Sequence, residues 1–362
     1  MNPSANKRMI QASRGIAVFL VMLFHAAQTG LHYFDTDFLG ISRMGRSGAY
    51  TFFFVLTGYL MTAIYGKHRG DVSMFGTFLL KRLARIYPLY ILIMAAVVPV
   101  FILMPSFGVG FEREPSAIVG SLLLWPQANG PILPVAWSLS YIVMFYLAFS
   151  LCFLLKEKVL VAIGSSWITI IALNAAGWIV IKQSAAIQFL FNPIHLEFFV
   201  GVAVAVAVKR RKWSHDGWWM AAGTALFVLL WIVRHEWPDF LQVDMAHTVP
   251  SALLLLGIVT WRGPQPKLLK PLAAMGDASY SILLVSLPAM SVTFKLARTA
   301  HVPDWAGASM TITVCFLLAL GLCLLFYRWI ERPLNELIRK RFTSGQRAVQ
   351  PGTKRPFARP NR

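Results

Sequence analysis

Acidic side chains are scarce in this sequence: 15 Asp and Glu stand against 34 Lys and Arg among 362 residues, and charged residues together make up 14%. A soluble globular chain carries about 25%, so a chain this poor in charge and 57% hydrophobic is not of that class. Long polar stretches are lacking too. Apolar blocks recur from Ile10 to Ile330, which argues against two soluble domains and for one continuous helical bundle in a membrane. Cysteine is nearly absent: Cys152, Cys315 and Cys323 all lie inside apolar segments. They signal no disulfide framework and read as packing residues. No compact basic region with interleaved exposed aromatics exists, so the formal charge of +19 does not point to nucleic acid. His25, His195 and His247 lie on different segments with no local ligand spacing, so no metal is indicated. The lack of an internal repeat and the scarcity of intramembrane acids argue against a transporter.

What is present is a series of apolar windows of spanning length, near 11–31, 47–65, 86–104, 134–155, 159–181, 190–208, 217–233, 246–261, 279–299 and 307–330. The expected architecture is therefore an all-α integral membrane bundle of about ten transmembrane helices, with a spanning domain over 1–342. Segment 116–126 is too short to cross and reads as interfacial or re-entrant. Residues 343–362 combine Pro, Gly, Gln and basic residues without apolar periodicity, the composition of a disordered basic tail that touches anionic lipid. Placing the N-terminus in the cytoplasm gathers most Lys and Arg on the inner side, including Lys81, Arg82, Arg85 and the Lys209–Lys212 run. Arg43, Arg46, Arg113, Lys182, Arg234, Lys295 and Arg298 are left outside. Retention of positive charge in the cytoplasm makes this the expected orientation, with both termini inside. Trp and Tyr at span ends, Trp137 among them, read as headgroup anchors.

Polar residues within the spans carry the chemical signal. Arg14 and His25 are eleven helical steps apart, which leaves them about 20° apart on one face and about 16 Å apart along the axis. Arg14 then sits near the inner surface, where a guanidinium can hold a phosphate, and His25 lies deeper, where a neutral imidazole can take a proton from a hydroxyl. A snorkelling arginine and a histidine bonded to a neighbouring helix fit the same positions. Arg82 and Arg85, at i and i+3 beside Lys81, share a face that can grip a phosphorylated cofactor or serve only as positive-inside residues. Pro88 is expected in the first turns of that helix. Glu197 is the one acid of its span, as substrate contact or structural partner. Asp277 or Ser279 reads as a helix cap. Glu331 ends the last span and is expected to pair with a basic neighbour.

These residues fall into strings. They are Arg14-Gly15-Ile16-Ala17 followed by His25; Phe52 to Tyr59; Arg82-Leu83-Ala84-Arg85-Ile86-Tyr87-Pro88; Trp137-Ser138-Leu139-Ser140-Tyr141; Asn192-Pro193 with Glu197; Gly276 to Ser281; and Glu331-Arg332-Pro333-Leu334. In order and placement they resemble membrane acyltransferase family 3, the bacterial O-acyltransferases of exopolysaccharides and lipopolysaccharide, from Arg14 to Arg341. The resemblance implies a multi-pass protein of the inner or plasma membrane that takes acyl-CoA, usually acetyl-CoA, from the cytosol. It implies donor binding by Arg14, Arg82 and Arg85, with Lys81 beside them, a catalytic His25 assisted by Arg14 and Glu197, and a carbohydrate or lipid-linked glycan as acceptor. Thr51, Ile142 and Ser286 stand where many relatives carry an acid, a glutamate and a histidine. Those three losses leave a second reading, a catalytically altered relative that binds or passes a glycan or lipid intermediate.

Overall fold

The computed structural model describes residues 3–44, 48–211, 213–237, 245–264, 267 and 269–348. Among them there is no β-strand. The helices run α1 (Pro3–Phe34), α2 (Ala49–Tyr65), α3 (Ser73–Leu103), α4 (Pro115–Leu122), α5 (Trp137–Leu154), α6 (Glu157–Ala175), α7 (Ala185–Leu190) and α8 (His195–Arg210). Then come α9 (Asp216–Glu236), α10 (Thr248–Thr260), α11 (Leu269–Asp277), α12 (Ser279–Thr299), α13 (Val302–Ala306), α14 (Ala308–Phe326) and α15 (Arg332–Ala348). Among the described residues nine stretches are long and apolar enough to cross a membrane. A shorter apolar helix, α10, occupies the place of the eighth expected span with 13 residues. At about 1.5 Å per residue it reaches roughly 20 Å.

Several boundaries move from their sequence positions. Helix α3 starts at Ser73, so Pro88 lies well inside it, as does Pro99. The apolar window stops at the Lys81–Arg85 charges. The helix continues past them because Met74, Phe75, Phe78 and Leu79 recur at helical spacing and pack into the core. At the other end of the chain, α15 carries helix through Thr343 to Ala348. The remainder of the expected tail, 349–362, lies outside the described residues, as do Arg46 and Lys212 of the charge count. The segment near 116–126 turns back without crossing. Tyr87 Oη donates to the Leu123 carbonyl at 3.1 Å and Tyr90 Oη to that of Ser121 at 2.6 Å. Since Tyr90 is thirteen residues from the end of α3, the segment reaches about 20 Å down that helix. Ser121 Oγ then accepts the Ile132 amide at 3.0 Å, which steers the chain into α5.

Lipid tails are as apolar as leucine, so no hydrophobic force draws these helices together and close packing relies on small residues. Three pairs use glycines reciprocally. Gly58 of α2 lies against the Phe198 backbone and Gly201 of α8 against that of Val55. Gly15 of α1 meets the Leu272 carbonyl, and Gly276 of α11 meets that of Gln11. In α9 and α10, Gly223 and Gly257 meet Leu254 and Met220. The first two contacts fix the walls of the site. One clamps the N-terminal half of α1 to α11, just before α12 begins; the other locks α2 to α8.

Candidate active site

A cavity of about 260 Å³ lies among α1, α2, α3, α5 and α12. One end of it is basic. Arg14 and Arg85 line it with Arg82, Ser279 and Tyr280, and His25 lines it further along α1. The structure therefore places His25 and the three arginines, from helices far apart in sequence, on one continuous space.

Each cation is held differently. Arg14 Nη1 donates to Gln11 Oε1 at 3.0 Å and Nη2 to Ser279 Oγ at 2.7 Å. Gln11 in turn donates to Asp277 Oδ1. Asp277 and Ser279 are thus not helix caps: α12 has no side-chain cap bond at Ala278, and both side chains are engaged with α1. The reciprocal glycine contact makes this possible by bringing α1 and α11 close enough for short side chains to bridge. Arg82 Nη2 donates to Tyr65 Oη at 2.9 Å, and its guanidinium lies 4.9 Å from the centre of that ring. Its buried Nε has no partner. Arg85 is exposed, and among the described residues no hydrogen bond or ion pair holds Arg85 or Lys81. A guanidinium restrained by a ring and an exposed one without a partner form a set able to receive phosphate oxygens.

Lys81 does not reach the cavity. It lines an adjoining basin of about 610 Å³ with Arg85, Arg332 and Arg339 of α15, and with Asp277, Glu331 and Glu336. Arg332 is occupied by Glu336 at 3.2 Å. Arg85 lines both spaces and so marks the passage from basin to cavity.

His25 is half-buried, with Phe24 beside it at 5.6 Å between ring centres. No described side chain hydrogen-bonds its imidazole, so a ring nitrogen is available to a substrate. Around and beyond it the walls are apolar and aromatic. Trp137, expected as a headgroup anchor, lines this part, edge-on to Tyr50 at 5.3 Å and Phe54 at 5.9 Å. Its span-end position did not distinguish it from the other tryptophans; only its place in the Trp137–Tyr141 string did.

The remaining expected residues sit elsewhere. Glu197 is fully buried between α2 and α8, accepts the Thr51 hydroxyl at 3.2 Å, and does not line the cavity. His195 beside it bonds the Phe189 carbonyl at 3.0 Å among Tyr141, Trp167 and Phe189, a packing role. Of the three unusual positions, Ile142 lines the cavity, while Thr51 and Ser286 do not. Among the described residues Glu331 has Ser281 and Asn335 as hydrogen-bond partners and no basic one. It sits buried at the end of a π-helical turn, Tyr327–Glu331, and Arg85 and Arg14 bear on it through electrostatics rather than through a hydrogen bond.

Comparison with known proteins places these observations. A family profile described as "Acyltransferase domain" matches residues 9–328. "Acyltransferase MdmB" of Streptomyces mycarofaciens is 24% identical, over 91% of each chain. "Protein 2 in picA locus" of Rhizobium radiobacter is 31% identical over 28% of this chain and 48% of its own. No solved structure matches the chain significantly.

Proposed function

The chain belongs to the acyltransferase 3 family, and on that premise we propose that it moves an acyl group from acyl-CoA to a hydroxyl of a cell-surface carbohydrate or lipid-linked glycan. The observation that carries this reading is the shared cavity: three arginines at one end, Arg85 among them without a hydrogen-bond partner among the described residues, and a free imidazole about 16 Å along the same face of α1. That spacing suits a donor whose phosphates and reacting thioester are separated by an extended arm. Arg85 and Lys81 take the phosphates at the basin, with Arg82 and Arg14 at the passage, and the thioester carbon comes to lie beside His25.

His25 acts as general base. It takes the proton of the acceptor hydroxyl, whose oxygen attacks the thioester carbon. The carbon–sulfur bond breaks, and the leaving thiolate takes up the proton held by His25, giving an ester, free CoA and the neutral imidazole again. Arg14, braced by Gln11 and Ser279, holds its charge at the inner end of the path. Glu197 acts at a distance, through Thr51, on the packing of α2 against α8. In this reading the N-terminus is cytoplasmic, the donor enters from the cytosol, and the protein resides in the inner or plasma membrane. The basic flanks of the spans support that orientation.

The test is acyl-CoA binding and thioester turnover by detergent-purified protein. Wild type is expected to do both, Arg82→Ala/Arg85→Ala to lose binding, and His25→Ala to bind without turnover. A wild-type protein that binds no acyl-CoA sinks this reading and leaves the alternative, a relative that binds or passes a glycan or lipid intermediate.

A further inference from the structure

The arm that joins the phosphates of CoA to its sulfur carries amide groups, and burying an amide without a partner is costly. The cavity offers few partners. Among the described residues lining it there is no Asp, Glu, Asn or Gln, and most of its hydroxyls are committed. Thr57 and Ser138 donate to the Phe53 and Val135 carbonyls at 2.7 and 2.9 Å. Tyr280 donates to the Ile86 carbonyl at 2.7 Å, and Ser279 receives Arg14.

Tyr146 stands apart from these. It lines the cavity and is 7% exposed. A buried tyrosine usually finds a partner for its hydroxyl, as Tyr90 does in the Ser121 carbonyl, yet no hydrogen bond holds the Tyr146 hydroxyl among the described residues. Nor is its oxygen sealed off, as those of Thr248 and Ser251 are. In a buried residue of the cavity wall, such an oxygen opens on the cavity. Phe78 fixes the ring, edge-on at 6.1 Å between centres, and Tyr146 bears electrostatically on Arg14 and Tyr280. Along α5 it lies nine residues past Trp137, about 14 Å down the axis and towards the basic end. It does not line the adjoining basin, so it stands on the cavity side of the Arg85 passage.

We propose that the Tyr146 hydroxyl is a contact for the donor's arm, donating a hydrogen bond to an amide carbonyl between the phosphates and the thioester. This rests on the donor reading above, in which the phosphates stay at the basin and the passage while the arm runs on towards His25. A fixed phenol one step inside the passage then sets how far the thioester reaches.

The experiment measures dissociation constants of phospho-ADP, free CoA and acetyl-CoA for the full-length protein in detergent, in wild type and in Tyr146→Phe, which keeps the ring and its packing on Phe78. The variant is expected to bind CoA and acetyl-CoA about fivefold more weakly, the loss of one hydrogen bond. Phospho-ADP, the nucleotide half of CoA without the arm, should bind it as tightly as wild type. The thermal midpoint without ligand should not fall, because no bond within the protein is lost. Unchanged CoA affinity overturns the proposal, and a lowered midpoint does so by showing that the hydroxyl has a structural partner. Equal weakening of phospho-ADP and CoA moves the contact to the phosphates, and weakening of acetyl-CoA alone moves it to the acyl group; either overturns the arm assignment while leaving the donor reading in place. If wild type binds none of the three, the donor reading falls and this proposal with it.

Discussion

Glu331 and Ser281 are joined twice: one carboxylate oxygen of Glu331 accepts both the backbone N–H of Ser281, at 2.9 Å, and its hydroxyl. Ser281 lies in the first turn of α12, whose N–H groups have no partner within the helix, so the acid of α14's end serves as the cap that α12 lacks locally. Two residues earlier in the same turn is Ser279, which holds Arg14. Removing the carboxylate leaves buried donors unsatisfied, at a cost of about 1–3 kcal/mol. Glu331→Ala is expected to lower the thermal midpoint in detergent and weaken acyl-CoA binding. Glu331→Gln, which keeps an acceptor oxygen, should recover most of both, and equal behaviour of the two variants would refute the capping role.

Arg14 works as a fork, with one nitrogen on Gln11 and another on Ser279. Arg14→Lys keeps the charge but cannot make both bonds. A loss of about tenfold in acyl-CoA affinity, equivalent to ~1.4 kcal/mol, is expected. Ser279→Ala removes one hydrogen bond worth about 1 kcal/mol and should cost about fivefold. Titration of both variants against wild type checks the order.

Gly58 and Gly201 let α2 and α8 approach until a side chain on either would meet backbone. Backbone cannot swing aside as a side chain can, so Gly58→Leu should cost ~3 kcal/mol or more and displace Thr57, Leu60 and Met61 from the cavity wall. Gly76, with open space around its Cα, supplies the control: Gly76→Ala should leave the midpoint unchanged or raise it. A Gly58→Leu protein as stable as wild type would argue against the tight crossing.

Outside the spans, Glu112 accepts the backbone amides of Val109 at 3.0 Å and Gly110 at 2.8 Å. Burial pushes its carboxyl up, but these amides outweigh burial and hold it below the usual carboxylate range. Because the folded value is the lower one, the stabilisation is complete above the ordinary carboxylate value and is lost as pH falls through the lowered one. Amide exchange at Val109 and Gly110 should therefore gain an extra opening contribution in acid that Glu112→Gln shows at neutral pH as well. Identical exchange in the variant and wild type at neutral pH would contradict it.

The sequence by itself determined the class of the protein. Apolar windows of spanning length leave a backbone in lipid no alternative to helix, and the shared face of Arg14 and His25 follows from helix periodicity alone. It also pointed to Arg82 and Arg85, since their i, i+3 spacing is local and they belong to the Arg82–Pro88 string. Only the tertiary structure decided which polar groups meet. Ser279 and Asp277 had the appearance of caps, because a short polar side chain before an apolar run is a local signal; their actual partners lie more than 260 residues away, across a glycine-mediated contact. Trp137 had the span-end position of an interfacial tryptophan, and only the packing of α5 against α2 shows it in the cavity wall. Glu197, as prominent in the sequence as His25, was set apart by the packing of α2 on α8. Periodicity fixes the direction in which a side chain leaves its own helix. What lies opposite depends on how closely the helices approach and at what height, and that is set by small residues whose partners are distant in the chain.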